Sequence, residues 1–490
     1  MELLTSLLLV LGFLITRLVN LTIIPIFTDE AIYLRWSQIA SYDPSWRFIS
    51  LIDGKQPMFM WVTMVVMRII RDPLLAGRLV SVFSGLGVMI GLFLLAREVF
   101  KNNLVGFYSS LIYVILPLTL LYDKLALVDT MLTMFGIWSL WLAIKLAKQP
   151  RLDLSLLLGG VLGFAYLTKS PAVFFLILSF LAIIFVSFRN IKNIFKFLGY
   201  FLISVIISQV MYNILRLSPL MHMIAQKNSF FVRSFNEVLA DPFVLFQGNL
   251  KGLWNWIVGY FSWPLITLSI LGLVFRFREY FKEKIYLLVW FLGLITAYGL
   301  FAKVMYPRYI LIFTPSLIIS IAYSLSVLNS LIKRKILFAG LILLFFSSSL
   351  KTSFTLIYNP LYAQIPKADQ GQFFDSQFAG GGIKEVVRYF KKETREKKVA
   401  LYTEGTFGLL PHSVELYFYD NPNMKIIGVW PLGKIPSEKI KYESERENYV
   451  IINETQKIPQ EWPLKKILEV RKGKSNKYLR LYKIIPYGID

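Results

Sequence analysis

The chain has 490 residues and no cysteine. No disulfide framework and no thiolate metal site can form. Histidine occurs only twice, as His222 and His412, which excludes a centre built on several imidazoles. No Walker pattern or other phosphate-binding glycine loop is present, and the glycines at 380–382 do not fit a dinucleotide fingerprint. A nucleotide-bound donor therefore has no recognisable seat. Internal repeats and low-complexity segments are also absent.

What the chain has in abundance is apolar surface. Hydrophobic residues make up 56% of it, with 40 Phe and 26 Tyr, and the mean hydropathy is +0.57. A soluble protein of this length exposes more polar surface than such a composition supplies. Apolar runs of about 18 residues or more recur, the length a helix needs to cross a bilayer of about 30 Å. The formal net charge is +23. In a polytopic protein this reads as Lys and Arg retained in cytoplasmic loops and near anionic headgroups, not as a nucleic-acid surface.

Hydropathy and charge predict about eleven spans. They run near 3–24, 75–96, 104–121, 131–147, 155–168, 171–188, 197–215, 256–275, 285–301, 309–330 and 336–350. The first is read as a retained span, because it lacks a basic start and a cleavage site. Residues 57–70 are apolar but short, an interfacial helix or a twelfth span. Alternate loops hold Arg97 and Lys101; Lys145, Lys148 and Arg151; Arg189, Lys192 and Lys196; Arg276, Arg278, Lys282 and Lys284; and Lys333, Arg334 and Lys335. The positive-inside rule makes these loops cytoplasmic, together with the N-terminus. The loops 25–74, 122–130, 216–255 and 302–308 then face outward. So does everything after Lys351.

The division expected is a membrane domain over 1–350 and an extracytoplasmic α/β domain over 351–490. The tail is polar, with an amphipathic helix pattern at 383–390 and strand patterns at 399–402, 425–429 and 449–452.

The outward loops carry the unusual residues. Asp29 and Glu30 follow the first span directly. They read either as the first turn of a solvated helix capped by Thr28 or as a general base or ligand. Lys55, in Asp53-Gly54-Lys55-Gln56-Pro57, suits a phosphate or interfacial snorkelling. Tyr122-Asp123-Lys124 precedes Leu127-Val128-Asp129-Thr130, and an acid such as Asp129 at the start of a span is costly unless paired or hydrated. Lys169 lies between two apolar runs. Arg308, in Tyr306-Pro307-Arg308-Tyr309, opens another. Both fit a lipid phosphate, Arg with bidentate geometry. Interfacial anchoring is the alternative for Tyr306, Arg308 and Tyr309.

In this order, these residues resemble the GT-C integral-membrane glycosyltransferases, nearest to the protein O-mannosyltransferase and aminoarabinose-transferase group. The marks are Asp29-Glu30, Gly54-Lys55-Gln56-Pro57, Ala76-Gly77-Arg78-Leu79, Leu127-Val128-Asp129-Thr130, Leu167-Thr168-Lys169-Ser170-Pro171 and Tyr306-Pro307-Arg308-Tyr309. They cover residues 5–350.

The resemblance implies a single sugar carried on a polyprenyl phosphate, an extracytoplasmic acceptor (protein, lipid or cell-envelope glycan) and a cavity at the outer membrane surface. It implies Asp29 as general base with Glu30 in support, and Asp129 orienting the acceptor or Lys55. Lys55, Lys169 and Arg308 would hold the donor phosphate, with Arg78, Lys124 and Tyr306 as supporting residues. The group's pattern usually has two prolines after the lysine, where this chain has Gln56-Pro57. Neither the group nor this loop carries the Asp-x-Asp that oligosaccharyltransferases use for a metal, so no cofactor is expected. A secondary transporter and a non-enzymatic scaffold are the rival readings. A transporter places its charges near the midplane with inverted repeats. A scaffold would leave the acids and lysines without a common cavity.

Overall fold

Lipid offers no hydrogen-bond partner to a backbone N–H or C=O, so an apolar chain that enters it must satisfy those groups internally. The computed structural model describes residues 2–187, 191–435, 440 and 443–485. Arg189, one of the basic-loop residues, lies outside them. Among the described residues, seven helices are long and apolar enough to cross a membrane: Pro73–Phe100, Val128–Lys148, Ile191–Leu217, Phe246–Val274, Phe281–Phe301, Thr314–Leu331 and Lys335–Tyr358. Asn103–Ile115 and Pro117–Asp123 pass the same test together as a pair bent by 66°, which is either a broken span or a re-entrant loop. The protein is a multi-span membrane protein.

Four shorter apolar helices complete the set: Leu4–Leu18, Met58–Met67, Leu152–Thr168 and Ala172–Phe185. The spans expected at 3–24, 155–168 and 171–188 fall on three of these, and the segment 57–70 on the fourth. The first helix stops at Leu18 rather than running to Ile24. Beyond it the chain turns through Asn20, whose φ is 51°.

The bend at Pro117 has a local cause. Leu116 precedes a proline and is extended (φ −67°, ψ 127°), the conformation that position favours. Pro117 has no N–H to offer the Tyr113 carbonyl. Arg17 and Thr119 replace the missing donor: the guanidinium donates to the Tyr113 carbonyl at 3.0 Å and the Val114 carbonyl at 2.6 Å, and the Thr119 hydroxyl donates to the Tyr113 carbonyl at 2.5 Å.

The chain forms two compact units. The first comprises residues 1–21, 45–62 and 78–366; the second comprises 22–44, 63–77 and 367–490. The second therefore includes the helix Thr28–Tyr42 as well as the polar tail.

The tail portion is an α/β fold. Strands β1 (Val399–Glu404), β2 (Met424–Val429), β3 (Glu447–Ile452), β4 (Leu464–Arg471) and β5 (Tyr478–Ile484) form one sheet in the order β2-β1-β3-β5-β4. β1 pairs in parallel with β2 and β3, while β5 runs antiparallel to β3 and β4. Every residue of β1 is buried, as expected of a central strand covered on both faces. The expected helix at 383–390 is Ile383–Glu393, and the three expected strands are β1, β2 and β3. β4 and β5 were not expected, because their lysines and arginines mask the alternation that marks a half-buried strand.

Candidate active site

In the first unit, Asp129 sits in the first turn of Val128–Lys148, after an extended Leu127. There its carboxylate complements the positive end of the helix dipole. Lys169 caps the C-terminus of Leu152–Thr168 in extended conformation (φ −164°, ψ 147°), just before Ser170-Pro171. Arg308 is the second residue of a 3-10 turn, Pro307–Ile312, opened by a proline. Three chain breaks thus deliver three charges to one point. Lys169 Nζ lies 2.6 Å from Asp129 Oδ1, and Arg308 Nε lies 4.0 Å from Asp129 Oδ2.

Asp129 and Arg308 are buried, whereas the Lys169 side chain is 23% exposed. Lys169 is thus the most accessible of the three. Aromatic rings back both cations. Lys169 Nζ is 4.8 Å from the Tyr309 ring centre, and the Arg308 guanidinium is 4.8 Å from that of Tyr306, within cation–π range.

Lys55 belongs to an adjacent cluster. Asp53 takes Lys227 at 2.5 Å and Lys55 at 3.4 Å. Gly54 between them has φ +62°, and a Cβ there would collide with the Met223 carbonyl and Lys227. The Gln56 amide donates to Ser170 Oγ at 2.8 Å, and Ser170 Oγ donates to Asn228 Oδ1 at 3.2 Å. This chain of bonds joins the Lys55 cluster to the Lys169 cluster. Asn228 also lines a cavity of about 540 Å³ with Tyr212, Arg216, Met221, His222 and Ile224. Four cations around two carboxylates suit a phosphate.

Arg78 and Lys124 occupy a different place. Arg78 donates to the Leu21 carbonyl at 3.0 Å and Lys124 to the Val19 carbonyl at 2.7 Å. Both therefore serve carbonyls just past the end of the first helix, where intrahelical partners run out. Arg17 is a residue that sequence reasoning missed. It is fully buried, and its Nε contacts the equally buried Asp123 at 3.2 Å. Tyr113 donates to the other Asp123 oxygen at 2.9 Å. An arginine inside the first apolar run was the available signal. Lys227 gave no such signal, because nothing in its spacing links it to Asp53.

In the second unit, Phe27 is the N-cap of Thr28–Tyr42, with extended backbone (φ −96°, ψ 155°). Thr28, the cap in one of the two readings of this turn, is instead the first helical residue, and its hydroxyl donates to the Phe378 carbonyl at 2.9 Å. Glu30 is fully buried and accepts the Phe27 N–H at 2.9 Å, which commits it to the helix start. Asp29, beside it, is half-buried. Further along the helix, Arg35 Nε contacts Glu415 at 3.0 Å. Burial raises the Glu415 carboxyl, but its bonds to His412 and Arg35 outweigh that and lower it.

Among the described residues, no three His, Asp or Glu side chains gather as a metal site would require.

Residues 54–212, about a third of the chain, match the family described as dolichyl-phosphate-mannose-protein mannosyltransferase. No curated protein matches the sequence. Several solved structures share the fold at low identity, two proteins among them. ArnT from Cupriavidus metallidurans, solved bound to undecaprenyl phosphate, superimposes with a TM-score of 0.60 at 12% identity, covering 100% of this chain and 99% of that one. The oligosaccharyltransferase AglB from Archaeoglobus fulgidus, solved with an inhibitory peptide and a dolichol-phosphate, gives 0.53 at 12% identity, covering 86% of this chain and 64% of that one.

The resemblance read in the sequence is borne out: the chain has the GT-C fold of the membrane glycosyltransferases. Within that fold it is similar to ArnT over its whole length.

Proposed function

We propose that the protein is a glycosyltransferase that moves one sugar, a hexose or pentose, from a polyprenyl-phosphate carrier to an extracytoplasmic acceptor. The observation that carries this reading is the Asp129 carboxylate between Lys169 and Arg308, coupled through Gln56 and Ser170 to the segment of Lys55. Support comes from the mannosyltransferase family match and from two similar proteins solved with polyprenyl-type lipid phosphates.

In the proposed reaction, Asp29 takes the proton of the acceptor hydroxyl. The acceptor oxygen attacks the anomeric carbon as the bond to the phosphate oxygen breaks, so the configuration inverts. The polyprenyl phosphate leaves with the electron pair. Lys55, Lys169 and Arg308 stabilise the charge that develops on it. Asp129 orients Lys169 and Arg308, and Glu30 holds the helix turn that bears Asp29. No metal is assigned a role, and full activity in EDTA is the expected outcome. The positive-inside rule places the N-terminus in the cytoplasm and the polar tail outside a plasma membrane.

A transporter or scaffold would not require a fold shared with glycosyltransferases from end to end. The test uses purified protein in nanodiscs with a panel of radiolabelled polyprenyl-phosphate sugars and an envelope extract as acceptor source. Release of label by wild type and not by Asp29→Asn supports the reading. Equal release by both removes Asp29 from the mechanism. Silence with every donor and the extract points to the transporter or scaffold.

A further inference from the structure

The tail of the second unit reaches the start of the helix that carries Asp29 through a short strap, residues 376–382. The Gly380 N–H donates to the Ile26 carbonyl at 2.8 Å, and the Thr28 N–H donates to the Phe378 carbonyl at 3.1 Å. Phe27 and Ala379 thereby pair as an antiparallel bridge. The Phe27 ring meets Phe373 edge-on at 5.1 Å. The three residues immediately before Asp29 are all tied to this strap. The approach is tight, since a Cβ on Gly380 would collide with the Ile26 carbonyl.

The other edge of the strap is held by Lys472, together with Asn453, whose side-chain amide donates to the Gln377 carbonyl at 3.0 Å. The carbonyls of Gln377 and Ala379 are taken up by the tail rather than by Thr28. Lys472 Nζ donates to the Ala379 carbonyl at 2.5 Å and to that of Gln377 at 3.4 Å. Its side chain is fully buried. The residue sits at the start of the turn between β4 and β5, where its own N–H donates to the Lys477 carbonyl at 2.8 Å. Neighbours from the same turn reinforce the grip. The Lys474 N–H donates to Asp375 at 2.7 Å and Lys477 Nζ to the Gln377 side chain at 2.9 Å.

Burying an amine against carbonyls is costly compared with an apolar side chain of the same size. What the amine supplies is direction: it fixes one edge of the strap so that the other edge meets Ile26 and Thr28.

We propose that Lys472 is a positioning residue, acting through strap 376–382 to set the helix turn that presents Asp29. The inference rests on the proposed role of Asp29 and gives the tail a task in the transfer step. It requires no contact between Lys472 and substrate.

The test compares full-length wild type with Lys472→Met in nanodiscs by hydrogen exchange and by donor kinetics. Faster exchange at the amides of Thr28 and Ala31, with β1 and β3 unchanged, is expected. The donor kcat should fall by about ten- to a hundredfold, the scale of a misplaced catalytic group, with donor KM within about twofold. Should Lys472→Met loosen the whole sheet, Thr28→Val provides a second route. It removes the hydroxyl bond to Phe378 from the opposite side and should lower kcat selectively as well. Unchanged exchange at residues 28–31 in a folded Lys472→Met protein overturns the proposal, as does unchanged kcat. If wild type itself transfers no sugar, the functional reading fails while the exchange result still decides whether Lys472 sets this turn.

Discussion

The side-chain amide of Gln56 donates to the Ser170 hydroxyl at 2.8 Å, tying the residue after Lys55 to the residue after Lys169. A proline, usual in the related pattern at this position, has no side-chain donor and could not make this bond. The departure from the pattern therefore has a structural counterpart. Replacing Gln56 by Leu removes this bond, worth about 1 kcal/mol, together with the side-chain bond between Gln56 and Tyr212. Donor KM should rise about fivefold with kcat nearly unchanged. A fall in kcat at constant KM would show that the bond serves the reaction step rather than donor binding.

Asp129 is the shared partner of Lys169 and Arg308. Asp129→Asn leaves both cations facing a neutral group. Losing one member of a buried charged cluster costs about 2–5 kcal/mol, so donor kcat/KM should fall by on the order of a hundredfold. Steady-state kinetics with labelled donor measures this. Tighter donor binding by the variant would mean that Asp129 competes with the phosphate instead of arranging its partners.

Arg17 and Asp123 are both fully buried, and Arg17 also serves the carbonyls freed by Pro117. Arg17→Met leaves the buried Asp123 charge without its cation and takes a donor from the Val114 carbonyl, although Tyr113 still donates to Asp123 and Thr119 to the Tyr113 carbonyl, at a cost of about 3–5 kcal/mol. Thermal unfolding in detergent should show a marked loss of stability. The double variant Arg17→Met with Asp123→Leu should recover part of it. Wild-type stability in the single variant would mean that this pair does not hold the bent helix.

The absence of cysteine makes membrane orientation directly testable. Single cysteines at Asn476, in the tail, and at Arg334, in a basic loop, both lie at exposed positions. In intact cells an impermeant maleimide should label Asn476→Cys, and Arg334→Cys only after permeabilisation. The reverse pattern would overturn the proposed topology.

Glu447 supplies a pH dependence in the tail. Burial raises its carboxyl, but bonds from Tyr449, Lys397 and Lys483 outweigh that and hold it at about 2, against an ordinary 4.5. The folded tail thus binds fewer protons than the unfolded chain in this window, so stability rises with pH. The contribution is fully present above about pH 4.5 and is lost as pH falls toward 2. The protection of β3 and β5 amides, relative to their intrinsic exchange at each pH, should fall over that range. Glu447→Gln should flatten the change.

Part of this protein was legible along the chain. Hydropathy is a local property, so the apolar helices, their number within a few and the switch to a polar tail could be read directly. Lipid made those segments helical before any packing was known. The first three strands were equally readable, because β1, β2 and β3 are short apolar runs. Asp129, Lys169 and Arg308 stood out because charge at an apolar boundary needs an explanation.

Tertiary structure alone decided which groups meet. Lys169 finds Asp129 across 40 residues, Lys227 finds Asp53 across 174, and Arg17 finds Asp123 across 106. No periodicity encodes such pairings, because they depend on where chain breaks and helix ends meet in space. The same holds for residues 22–44, which are adjacent in sequence to the first apolar helix but belong to the compact unit of the tail. Ile26, Phe27 and Thr28 join that unit through backbone hydrogen bonds to residues 378–380. Backbone groups are the same in every residue, so the sequence carries no mark of that choice.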